Sequence, residues 1–77
     1  MKLTKEFLKF MEIIREGEAL GEIKSSKPIT DFDLAVQFAI GKSFEKGIRI
    51  MTTADIYRAM IEYCGEDSIA RSTGTEL

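Results

Sequence analysis

Phe7, Phe10, Met11 and Ile14 recur at i, i+3, i+4 and i+7, the spacing that gathers apolar side chains on one helix face, and Leu8 and Ile13 widen that stripe. Thr4 supplies an N-cap, Glu6 lies in the opening turn where the helix dipole favours negative charge, and Gly17 reads as the stop. The pattern predicts a first helix over residues 4–16. Between Gly17 and Pro28 the apolar period lapses, and Gly21, Ser25 and Ser26 fall among alternating charges. Residues 17–29 are therefore expected to form a long loop, with Ile23 pinning it to the core.

The second helix carries the clearest start signal. Thr30 and Asp33 stand in the capping-box relation, flanked by Ile29 and Leu34 at the positions of a hydrophobic staple. The helix is expected over 30–46, ending before Gly47, with Ala35, Ala39 and Ser43 forming a ridge of small residues that lets another helix come close. Phe32, Val36 and Ile40 flank the ridge, while Leu34 and Phe38 lie on a different side, so this helix should be central.

Met51, Thr52, Asp55 and Ile56 repeat the same start grammar, predicting a third helix over 52–64 that buries Ile56, Met60, Tyr63 and Cys64 and stops at Gly65. The expected fold is all-α: a small three-helix domain over residues 1–65, followed by a mobile tail over 66–77.

Composition narrows the picture in three ways. Seventy-seven residues support one small core, to which self-association would add stability. The lone Cys64 cannot form an intramolecular disulfide, and charged residues interrupt the N-terminal apolar positions, so a cytoplasmic location is expected and neither an export signal nor a membrane span is read. Net charge is −2, unevenly spread: +1 over residues 1–28, zero over 29–51 and −3 over 52–77. That acidic end argues against a nucleic-acid surface, which is usually basic on one face.

The chemical inventory is short. The chain has no histidine, so the commonest general base at neutral pH and the commonest zinc ligand are missing, and one cysteine cannot build a structural zinc site. Gly41, Lys42 and Ser43 resemble the end of a phosphate-binding loop, but they fall inside a predicted helix and Val36 stands where the earlier glycine is required. The lysines of the first helix are offset by Glu6, Glu12 and Glu16, unlike the cation-rich polar face of a membrane-surface helix. No catalytic residue, metal ligand, cofactor or small-molecule substrate is expected.

What remains is a surplus of large apolar positions. The leading expectation is a non-enzymatic module that binds another protein or a second copy of itself, such as an adaptor, inhibitor or regulator of bacterial or phage accessory type. Leu34, Phe38, Tyr57 and Ile61 are the candidate contact residues. The alternative is a helix-turn-helix-like DNA-binding regulator built from the second and third helices, with Lys42, Lys46, Arg49 and Arg58 as the candidate cations.

Overall fold

Thr30 and Thr52 each start a helix through a complete capping box. The Thr30 hydroxyl accepts from Asp33 N–H at 3.1 Å and the Asp33 carboxylate accepts from Thr30 N–H at 3.2 Å, while Thr52 and Asp55 make the same reciprocal pair at 3.2 and 3.1 Å. The computed structural model describes residues 3–69 and is all-α: α1 (Lys5–Ala19), α2 (Asp31–Glu45), α3 (Thr53–Ala59) and a π turn (Met60–Cys64) that continues α3. The second and third predicted helices lie within about one residue of their expected bounds.

The first helix differs from its expected 4–16. It starts as expected, with Phe7 N–H donating to the Thr4 hydroxyl, but it runs through Gly17 to Ala19. Gly17 is a buried helix residue, not a stop: a Cβ there would stand 2.7 Å from Ile23 Cδ1, so its missing side chain makes room for the returning chain. The stop is Gly21, at φ 78°. Gly21 N–H donates to Glu18 C=O and Glu22 N–H to Gly17 C=O, the paired bonds of a Schellman ending. Gly47, at φ 72°, closes α2 in the same way, with Gly47 N–H on Phe44 C=O and Ile48 N–H on Ser43 C=O. The expected 17–29 loop is shortened accordingly.

Small residues set the helix packing. Ala35, Ala39 and Ser43 are almost wholly buried, and together with Ala59, Met60 and Cys64 they fill the contact between α2 and the α3–π segment. On another side α2 meets α1, where Phe38 packs against Phe7 and Phe10 with ring centroids 5.5 and 5.1 Å apart. The central position expected of α2 is the one it occupies.

The last turn before Gly65 is wound with i→i+5 bonds, a register that leaves terminal carbonyls open to outside donors. Thr4 takes them: its N–H donates to Cys64 C=O at 2.9 Å and its hydroxyl to Tyr63 C=O at 2.8 Å, tying the start of α1 to the end of the π turn. Beyond Gly65 the chain turns back on the core. Ser68 is buried, its hydroxyl donating to Gly65 C=O at 2.7 Å, and Ile69 packs against the core. The segment 66–69, assigned above to a mobile tail, is thus part of the folded unit, and the rest of that tail, residues 70–77, lies outside the described residues.

Candidate functional site

With α1 on one side of α2 and the α3–π segment on another, part of the apolar surplus is left on the remaining side of α2, while Leu8, Ile13, Leu20 and Ile61 are exposed elsewhere. Ile40 and Phe44 are exposed there, Phe44 over 84% of its surface. Just past the helix, Ile48 is exposed and Met51 is open over 74%, so the second predicted staple leaves its N-terminal member in solvent. Four large apolar residues within twelve positions are thus exposed around the end of α2 and its connection to α3.

None of these four is among the contact residues singled out from the sequence. Leu34 is only 4% exposed and belongs to the core, because the flank of α2 that carries Leu34 and Phe38 is covered by α1. Phe38 is half-buried in the aromatic group with Phe7 and Phe10, and Lys42 Nζ sits 5.6 Å from its ring centroid. Tyr57 is half-buried against the core, whereas Ile61 is exposed. Phe44 was the missed residue. Once Ala35, Ala39 and Ser43 are taken as a buried ridge, a spacing of 100° per residue turns Phe44 well away from it, so the signal was present in the phase of the helix.

Three of the four candidate cations are drawn into contacts of their own. Lys42 Nζ lies 2.8 Å from a Glu6 carboxylate oxygen and 3.9 Å from Glu45, and the hydrogen bond to Glu6 raises its pKa. Arg58 pairs with Asp55 at 3.0 Å. Asp55 in turn is held below its ordinary value, first by the N–H groups of Met51 and Thr52 that its carboxylate accepts. Lys46 Nζ sits 5.9 Å from the Tyr63 ring centroid. Arg49 lines a shallow groove of about 260 Å³ beside α3, together with Ser43 and Tyr63. The Ser43 hydroxyl and the Tyr63 hydroxyl are buried without a hydrogen-bond partner among the described residues. Two of the four cations are thus paired with carboxylates of the chain itself.

Cys64 is fully buried. Its thiol lies 3.5 Å from Ala35 C=O, and burial pushes its pKa up to about 12, which suits a packing residue and not a nucleophile. Among the described residues no three of His, Cys, Asp and Glu gather as a metal-binding group, and no helix is long and apolar enough to cross a membrane. Compared with protein-family models, curated proteins and solved structures, the chain matches none.

Proposed function

We infer that this domain is a protein-binding module without chemistry of its own, working through the apolar surface at the end of α2. The observation that carries this reading is Phe44, a large aromatic residue exposed over 84% of its surface in a domain whose other phenylalanines pack against or within the core. Monomeric domains rarely leave large apolar residues clustered in water, and such clusters mark contact surfaces. Aromatic anchors contribute much of the energy of the contacts that contain them. Nothing in the arrangement of the cations favours nucleic acid to a comparable degree.

The test compares wild type with Phe44→Asp and Met51→Asp. Both substitutions fall on exposed positions and should leave the melting temperature within a few degrees of wild type, by the usual size of surface effects. Affinity capture on the immobilised domain should then lose its specifically bound protein with either substitution. An identical set of bound proteins on wild type and both variants would refute the reading.

A further inference from the structure

Ser43 is the last of the three small residues on the buried ridge of α2, and of the three it alone carries a polar side chain. Alanine fills the equivalent places at 35 and 39, so close packing needs no hydroxyl at 43. That hydroxyl has no hydrogen-bond partner among the described residues, not even Ala39 C=O, the usual acceptor for a helical serine. The Tyr63 hydroxyl is likewise buried and unpartnered, although the residue packs against the core and phenylalanine would serve that packing equally. A buried polar group left unpaired is destabilising, so these two hydroxyls are contacts that the fold itself does not use. Both residues line the groove of about 260 Å³ beside α3, where buried Ala59 shares the floor.

We propose that this groove receives a carboxamide side chain, asparagine or glutamine, of the partner protein, hydrogen-bonded to the Ser43 and Tyr63 hydroxyls. This deepens the protein-binding reading and rests on it. The charges of the groove select a neutral group. Asp55 and Arg58 pair at 3.0 Å, and Arg49 and Glu62 bring one charge of each sign, so the groove has no net charge. An ion entering it would give up hydration without meeting an excess of opposite charge. A carboxamide gives up less, and its one acceptor oxygen and two N–H donors suit two hydroxyls that each donate or accept. An apolar cavity of about 150 Å³ holds a benzene ring, so the groove has room for a glutamine side chain. Arg49 and Glu62 are exposed, and neither side chain is held by a hydrogen bond or ion pair among the described residues, which leaves both free to swing clear of the floor. The occupant belongs to a protein because Ile48 is shared between the rim of the groove and the exposed apolar group of Phe44 and Met51. A chain segment laid on those apolar residues continues into the groove, where the hydroxyls set which polar side chain it must carry.

Random linear peptides displayed on phage and selected on the immobilised full chain test the proposal, with affinities of the selected peptides then measured by fluorescence anisotropy. The selected peptides should share an asparagine or glutamine beside large apolar residues, and replacing that amide residue by alanine or by its acid should weaken binding at least tenfold. Ser43→Ala and Tyr63→Phe should each weaken the amide-bearing peptide by a similar factor, yet bind the alanine-replaced peptide as wild type does. Neither substitution should lower the melting temperature, because each removes a buried group that makes no hydrogen bond within the chain. Loss of binding without loss of stability separates recognition from a structural role. Selected peptides that share an acidic or basic residue instead, a selection that enriches none, or amide-bearing peptides that bind both variants as they bind wild type each overturns it, the last leaving the hydroxyls to trapped water. Selected peptides that lose binding with Phe44→Asp but not with Ser43→Ala or Tyr63→Phe would remove this inference and leave the protein-binding reading standing.

Discussion

Replacing Thr4 by valine keeps the shape of the side chain and removes one hydroxyl that serves two parts of the chain at once. That hydroxyl accepts from Phe7 N–H at 3.3 Å, capping α1, and donates to Tyr63 C=O at 2.8 Å, holding the end of the π turn. Loss of an N-cap costs about 1 kcal/mol. Leaving the half-buried carbonyl of Tyr63 without its donor adds about 1 kcal/mol more. The expected loss, about 2 kcal/mol, is a large share of the ~4–12 kcal/mol available to a chain of this length. In thermal unfolding followed by far-ultraviolet circular dichroism it corresponds to a midpoint about 8–16 °C lower. Thr30→Val is the control: its hydroxyl caps α2 from an exposed position and reaches no distant carbonyl, so it should lose only about half as much. Thr4→Ser, which keeps the hydroxyl, should stay close to wild type. If Thr4→Val is no more destabilising than Thr30→Val, the tie between α1 and the π turn contributes nothing, and the reasoning fails.

Two further outcomes follow from titratable groups. The Cys64 thiol, moved from 9.0 to about 12 by burial, holds about 1,000-fold less thiolate at neutral pH. The greater nucleophilicity of a more basic thiolate returns about 20-fold, so alkylation by iodoacetamide should be at least ~50-fold slower in the folded protein than in denaturant, and a difference under about tenfold would show an accessible thiol. Asp55 has a folded pKa below its ordinary 3.8, so the stability it supplies is present above that value and disappears as pH falls through the folded value. The melting-temperature difference between wild type and Asp55→Asn should therefore be largest near neutral pH and shrink below about pH 3.8; a difference that stays constant into stronger acid would contradict the assigned role of the carboxylate.

Helix starts were legible because a capping box is local: threonine and aspartate three residues apart suffice, and tertiary packing is not needed to form the bonds of Thr30 with Asp33 or Thr52 with Asp55. Glycine was less legible, since the same residue type serves two purposes. Gly47 and Gly21 are there for positive φ, whereas Gly17 is there to admit Ile23, and only the folded chain tells these apart. The π turn left no local mark, because its open carbonyls are satisfied by Thr4, fifty-nine residues away in sequence from Tyr63. The apolar surplus was visible from the sequence, but its location depended on which sides of α2 its neighbours cover. Leu34 and Phe38 looked spare until α1 was placed over them, and Phe44 became the outward residue by the same packing.

The return of the chain after Gly65 changes where this domain can be cut or joined. Gly65 looks like a natural boundary because the last helical turn stops there, yet Ser68 also lies 3.4 Å from Met60 C=O, and the 66–69 segment closes over the same end of the core. A deletion series, a limited-proteolysis fragment or a fusion partner joined at residue 65 would strip that cover and report the lost lid as though it were poor folding of the helices. Designs that keep the 66–69 segment separate the two, so the four residues after Gly65 belong in any piece worth expressing.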